Sequence, residues 1–266
     1  MYTFDFIGTV LLFSAFLIEF TLILWFSPKI NVIKDMAANC FLGLGVIGVG
    51  IFEKTVAFSF FSFTYNFSFF KPEQSLGLWI AAFFCCDFIH YVYHWLGHKT
   101  KLFWTSHVTH HSSKEFNLSI GFRINCLQLF YRFLFWLPLC LLGFTPEMIL
   151  FFESLTAIQQ FFVHTERIGK LGIIDWIINT PSNHRVHHAT NPEYIDKNLG
   201  GFLMIFDHLF GTYAREKAKP IYGITHEINT YNPLKILTHE YKTVFMKTLQ
   251  IKGFMEKIHF LLSPPV

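Results

Sequence analysis

Residues 6–26, FIGTVLLFSAFLIEFTLILWF, form an apolar run with Glu19 as its one ionisable residue. As a helix, such a run is long enough to cross a bilayer whose hydrocarbon core is about 30 Å thick. No basic segment precedes it and no small-residue cleavage site follows, so a retained span is expected in place of a cleaved signal peptide. Composition extends the inference to the whole chain. Of 266 residues, 52% are hydrophobic and 15% charged, and mean hydropathy is +0.39. Soluble domains carry about 25% charged residues, so much of this surface is expected to face lipid. The formal charge of +3 is too small and too dispersed to suggest nucleic acid. Glu19 sits where charge is costly, and is either a functional group or one neutralised against a neighbouring helix.

Residues 36–52 are glycine-rich (Gly43, Gly45, Gly48, Gly50), a pattern that suits close helix packing in a membrane. No strand-turn-helix context surrounds these glycines, so a nucleotide-binding reading is disfavoured. Residues 55–70 are aromatic and serine-rich without clean helical periodicity, and are expected to be re-entrant or interfacial. A third span is expected over residues 76–95. Two more apolar runs, 124–142 and 146–163, are separated only by Gly143, Phe144 and Thr145, which implies an antiparallel hairpin. Arg132, inside the fourth run, either snorkels or faces an internal site. Cys40, Cys85, Cys86, Cys126 and Cys140 lie in apolar stretches with no CxxC spacing, and read as packing residues, not ligands or disulfides.

Basic residues orient these runs. With the N-terminus outside, Lys29, Lys34, Lys99, Lys101, Lys114, Arg123 and everything after His164 fall on one side, which the excess of positive charge makes the cytoplasm. The clustered histidines fall there too. The expected fold is an all-α integral membrane protein, with about four to five membrane-inserted helices under a cytosolic, helical, histidine-rich cap holding a di-metal site.

The cap carries the chemistry. Residues 94–111, HWLGHKTKLFWTSHVTHH, contain His94, His98, His107, His110 and His111 at steps of four, nine, three and one. Steps of three and four place side chains on one helix face. A second group follows, His164 and then His184, His187 and His188, in which HRVHH repeats the pattern of HVTHH. Clustered imidazoles repel when protonated and are costly to desolvate, so a metal is the expected reason for them. One first-row metal takes about four to six ligands, so nine histidines imply two metals or some supporting members.

Several metals are disfavoured. Trp95 and Val108 follow His94 and His107, so there is no HExxH and no general base for a zinc protease. No EF-hand or Glu-x-x-His pair is present. Haem needs one or two axial histidines. A non-haem, all-nitrogen di-iron centre remains, and it suits attack by O₂ on an unactivated lipid C–H bond.

Residues 87–98 (DFIHYVYHWLGH), 102–117 (LFWTSHVTHHSSKEFN) and 162–212 (with FVHTE, NTPSNHRVHH, YIDKNLGG and FDHLFGT) resemble the fatty acid hydroxylase/sterol desaturase superfamily. Residues 222–235, YGITHEINTYNPLK, are similar to its alkylglycerol monooxygenase-like branch. The resemblance covers roughly residues 80–240, and with the apolar runs before it the chain is expected to divide into residues 1–75 as membrane-anchoring helices, 76–240 as the catalytic domain and 241–266 as a C-terminal tail, whose end, Ser263-Pro264-Pro265-Val266, reads as frayed. The resemblance implies His94, His98, His107, His110, His111, His164, His184, His187 and His188 as ligands of two iron ions. His90 stands where relatives carry an aromatic residue, and is read as packing or support. Trp95 replaces a common arginine. His208 replaces a usual basic residue and is not counted as a ligand. His226 and His239 are the remaining candidates to approach the site, and His259 has no supporting context. Asp87, Glu166, Asp196 and Asp207 are candidate acceptors for the outer N–H of a metal-bound imidazole.

The branch implies hydroxylation of the ether-linked carbon of an alkylglycerol by O₂, with a tetrahydrobiopterin-like reduced pterin as electron donor. The product then falls apart to a fatty aldehyde and glycerol. The alternatives are a sterol, carotenoid or fatty-acyl hydroxylase or desaturase with an electron-transfer partner, and a non-enzymatic metal-binding or transport protein. Gathering of the histidines at one face argues against transport.

Overall fold

The computed structural model describes residues 2–26 and 29–265, whose regular elements are all helical apart from two isolated bridges, Ile178 with Leu203 and Ala189 with Tyr222. Among the described residues, three helices are long and apolar enough to cross a membrane: α1 (Tyr2–Phe26), α2 (Ile30–Tyr65) and α3 (Leu76–Lys99). Their outward residues, among them Leu11, Leu17, Leu44, Ile51 and Phe63, are exposed and apolar, as a lipid-facing surface requires.

The 36 residues of α2 rise about 54 Å at 1.5 Å per residue, well beyond the hydrocarbon core. Residues 55–65, expected to be re-entrant, continue this helix instead. Periodicity was absent because both faces are apolar: Ala57 and Phe61 pack into the core with Phe133, Trp136 and Met148, while Phe60 and Phe63 face outward. The chain leaves the helix after Tyr65, and the Phe69 N–H donates to Leu141 O at 2.8 Å. Of the four glycines in α2, Gly43 makes the close approach, since a Cβ there would lie 2.9 Å from the Phe122 Cβ; around Gly48 and Gly50 the space is open.

Residues 124–142 are not one span. They fold as 3₁₀ turns Cys126–Phe130 and Arg132–Trp136 followed by α5 (Leu137–Leu141), after a further turn at Leu118–Phe122. Side chains of Asn117 and Asn125 accept from the Ser119 and Leu127 N–H groups and cap two of these turns, offering the backbone an alternative to a continuous helix. Gly143, at φ +92°, turns the chain into α6 (Pro146–Phe162), and a Cβ there would meet Phe70 O at 2.5 Å. Glu19 is a tether: its carboxylate accepts from the Leu118 N–H and the Thr165 hydroxyl, each at 2.6 Å, with Arg167 at 3.7 Å.

The remaining α-helices are α4 (Lys101–His111), α7 (Ile174–Ile177), α8 (Pro181–His187), α9 (Ile205–Phe210), α10 (Pro233–Gln250) and α11 (Phe254–Leu262). The chain end docks where fraying was expected: Lys101 N–H donates to Ser263 O at 3.0 Å and Lys101 Nζ to Ser263 Oγ at 2.8 Å. Val266 lies outside the described residues.

Candidate metal centre

Thr100 breaks the chain between α3 and α4, and its hydroxyl accepts from the Phe103 N–H to start the new helix. That break turns the histidines of α4 back toward those ending α3. Thr180 and Pro181 begin α8, which brings the third motif alongside. The nine histidines then sort into two groups. His94, His98, His107, His111 and His187 form one, and His110, His164, His184 and His188 the other; within each, the potential ligand nitrogens lie within 4.8 Å of one another.

In the first group, His107 Nε2 lies 3.1 Å from the Nε2 atoms of His94 and His98 and 3.0 Å from that of His111. In the second, His164 Nε2 lies 2.8 Å from His184 Nε2, 3.1 Å from His110 Nε2 and 3.2 Å from His188 Nε2. The outer nitrogens fix which atom carries the proton. His94 Nδ1–H donates to Leu199 O at 2.8 Å, His187 Nδ1–H to Lys197 O at 3.1 Å and His110 Nδ1–H to Arg123 O at 3.3 Å. A neutral imidazole has one N–H, so the Nε2 atoms of His94 and His187 present bare lone pairs to the interior of the first group and that of His110 to the interior of the second. His187 Nε2 is buried without any partner. Buried imidazole nitrogens gathered into one space, several of them held with bare lone pairs, fit metal ions; all-imidazole ligation suits iron, zinc, copper and nickel.

Electrostatics agree. Burial, and then repulsion from neighbouring imidazoles, pushes His107, His111, His184 and His188 well below the usual histidine range, and burial takes His110 down to about 4. These rings are neutral near pH 7, with lone pairs free for a metal.

Among the four candidate carboxylates, Asp196 meets an imidazole, accepting from His98 Nδ1–H at 3.3 Å. Burial alone would raise the Asp196 carboxyl, but bonds from His98 and Lys99 outweigh it and hold it at about 2. Asp207 acts one step further out: it accepts from the N–H groups of Leu199 and Gly200, both at 2.7 Å, and so fixes the carbonyl that holds His94. Asp87 likewise accepts from the Phe202 and Leu203 N–H groups. Glu166 receives the Tyr222 hydroxyl at 3.1 Å and touches none of the nine histidines.

The segment 196–203 is thus a belt around the first group. Asp196 and Asn198 take left-handed backbone, φ +59° and +55°, which these residue types tolerate. Gly200 and Gly201 let two carboxylates come close, since a Cβ at either would lie 2.7 Å from Asp207 or 2.6 Å from Asp87. The sequence could not reveal that backbone carbonyls supply most imidazole partners. It did flag Arg132, whose guanidinium is paired with Glu53 beside the site.

Other histidines stand apart. His90 packs edge-on against His94, with ring centroids 5.8 Å apart. His208 Nε2–H donates to Trp176 O, His239 Nδ1–H to Ile236 O, and His259 is exposed on α11; neither these nor His226 belongs to either group.

The profile of the fatty acid hydroxylase family matches residues 79–212. Human alkylglycerol monooxygenase is 38% identical over 194 residues, covering 73% of this chain and 43% of that protein. The Caenorhabditis elegans alkylglycerol monooxygenase is 33% identical over 200 residues, 70% of this chain and 36% of that one. An ornithine lipid hydroxylase of Rhizobium tropici is 31% identical over 139 residues, 52% of this chain and 40% of its own. The chain therefore spans less than half the length of these relatives. No solved structure matches it. With half of its length matched by the family profile, and both histidine groups assembled from the matched segment, the chain belongs to the fatty acid hydroxylase family.

Proposed function

We propose that this chain carries the oxygenase chemistry of a membrane enzyme that hydroxylates a lipid C–H bond with O₂, the substrate being the ether-bearing carbon of an alkylglycerol. The observation that carries the reading is two groups of gathered, buried imidazole nitrogens beside a cavity that continues to Cys86 on the spanning helix α3 and to Trp136. His94, His98, His107, His111 and His187 would hold one iron, and His110, His164, His184 and His188 the second. Iron would supply activation of O₂.

The chain's own residues orient and shield. Carbonyls of Leu199, Lys197 and Arg123 keep His94, His187 and His110 in the tautomer that offers Nε2 inward. The apolar lining, including Ile124, Phe152 and Phe161, keeps water from the reacting carbon. The lipid, O₂, two electrons and two protons give a hemiacetal and water; the hemiacetal then separates into fatty aldehyde and glycerol. The names of the animal relatives support the substrate, and a tetrahydrobiopterin-like reduced pterin is the donor in this reading. Residues 1–75 serve as anchor, 76–240 carry the site and 241–266 form the tail. The site faces the cytoplasm, on the side of Lys29, Lys34, Lys99, Lys101 and Lys114. Arg123 lends no weight to that orientation, being buried against Asp35 at 3.1 Å.

Similarity to the ornithine lipid hydroxylase favours one second reading, hydroxylation without ether cleavage. The two are separated by supplying the purified, iron-loaded protein with O₂, a 1-O-alkylglycerol and either reduced tetrahydropterin or a reductase with NADH. Pterin-dependent fatty aldehyde supports the first reading. A hydroxylated lipid without aldehyde supports the second, and no lipid oxidation under any donor contradicts both.

A further inference from the structure

A cavity of about 160 Å³ adjoins His94, His107, His110, His164 and His184. Its wall also holds Arg132 and Glu153, on the side of the fold built from α2, α6 and the turn Arg132–Trp136. The charge of Arg132 is paired: its Nε and Nη2 groups donate to Glu53 at 2.7 and 3.2 Å. Glu153 is not, for no hydrogen bond from the described residues reaches its carboxylate while Lys54 turns to Asp5 and Ser154. In the same wall the Trp136 side chain is 4% exposed and its indole N–H has no acceptor. A half-buried acceptor without a partner and a buried donor without one therefore line one small space, and the unpaired indole N–H calls for an acceptor there.

A second cavity, about 240 Å³, lies between α1, α2 and α6 and shares Gly121, Ile124, Arg132, Glu153, Ala157 and Phe161 with the first. Glu153 stands where the two meet. The volumes assign the parts of a lipid. A cavity of about 150 Å³ holds a benzene-sized group of about six heavy atoms, which is the size of a glycerol head and far less than a hydrocarbon chain. An anionic head would set its charge beside Glu153 and Glu53, with Arg132 already neutralised, whereas hydroxyls donate to a carboxylate without that cost.

We propose that Glu153 is a specificity-determining residue that receives the hydroxyls of an uncharged lipid head next to the histidines, while the hydrocarbon chain runs along the groove between α1, α2 and α6. This rests on the proposed lipid oxidation and narrows it: uncharged hydroxylated lipids are taken, and the carbon presented for oxidation lies near the head.

The test is equilibrium binding in nanodiscs of monooleoylglycerol against the oleoyl lysophosphatidate of equal chain length, using the intact protein and its Glu153→Gln variant. Wild type should favour the neutral lipid by at least about tenfold, and Glu153→Gln should shrink that ratio, with iron content and melting temperature unchanged. A merely structural role for Glu153 would weaken both lipids alike and leave the ratio in place. Trp136→Phe, which keeps the ring and removes the donor, should weaken monooleoylglycerol binding by about three- to tenfold. Equal binding of the two lipids by wild type, no binding of either, or an unchanged ratio in Glu153→Gln overturns the proposal. Preserved selectivity without lipid oxidation would instead count against the proposed reaction alone.

Discussion

His111 and His188 stack with ring centroids 4.3 Å apart and planes 22° from parallel, yet their Nε2 atoms turn to different groups. His111 Nε2 faces His107, 3.0 Å away, and His188 Nε2 faces His184, 3.1 Å away. Each HxxHH motif is thereby divided: His107 and His111 join the group of five while His110 joins the four, and His184 and His188 join the four while His187 joins the five. The two motifs exchange one histidine each, so neither group is complete without both α4 and α8.

Single substitutions should separate the groups. His98→Ala touches only the first and His164→Ala only the second. Each is expected to lower iron from about two to about one per chain, as measured by elemental analysis of protein that still inserts into the membrane. Loss of all iron from either folded variant would show that the groups do not load separately.

Asp207→Asn should weaken the first group without touching it. The carboxylate bonds to Leu199 and Gly200 N–H groups, and an amide leaves one of them unpaired. A loss of about 1–3 kcal/mol in unfolding free energy is expected. Iron affinity should fall by about 10- to 100-fold, because the Leu199 carbonyl that orients His94 is loosened. A titration with unchanged affinity would contradict this route.

The sequence was most legible where one residue type does one thing. Nine histidines stood out because a metal is the expected reason for so many clustered imidazoles, and the structure gathers all nine into two groups. Spans α1 and α3 were legible because their apolar runs end at polar residues. The division of the motifs was hidden, since residues 110 and 111 are neighbours in sequence and their separation depends on where α8 packs. Residues 55–65 were misread because a helix between lipid and an apolar core has no polar face to reveal its period. The run 124–142 misled in the opposite sense: its apolar content looked like a span, while Asn125 and the pairing of Arg132 with Glu53 break it into turns.

Helix packing in α2 gives a second kind of expectation. Gly43→Ala sets a methyl 2.9 Å from the Phe122 Cβ, whereas nothing lies within 4 Å of the corresponding position at Gly48. Gly43→Ala should destabilise by about 1–3 kcal/mol, and Gly48→Ala should be neutral or slightly stabilising. Melting temperatures in detergent will check the order, and equal effects would contradict the packing described.

Arg185 clamps α8 to the chain beyond His164. Its Nε and Nη2 groups donate to Glu216 at 3.0 and 2.8 Å, and Nη1 to Thr165 O and Ile168 O at 3.0 and 2.8 Å. Burial works against the Glu216 charge, but the bonds from Arg185 and Ser182 outweigh it and hold its carboxyl below the usual value of 4.5. A depressed carboxylate adds stability that is complete above the unfolded value and is lost as pH falls through the folded one. The stability difference between wild type and Glu216→Gln should therefore be constant from pH 7 to about 5 and shrink in more acid solution. A difference independent of pH would show that the ion pair is not the clamp.

Two groups of histidines side by side should hold two metal ions. The most direct measurement is anaerobic loading of the purified protein with ferrous iron, followed by iron and protein determination on the same sample. The division of the histidines predicts about two irons per chain, bound in a form lost when both His98 and His164 are replaced by alanine. One iron per chain at saturation, or an unchanged count in that double variant, would contradict it.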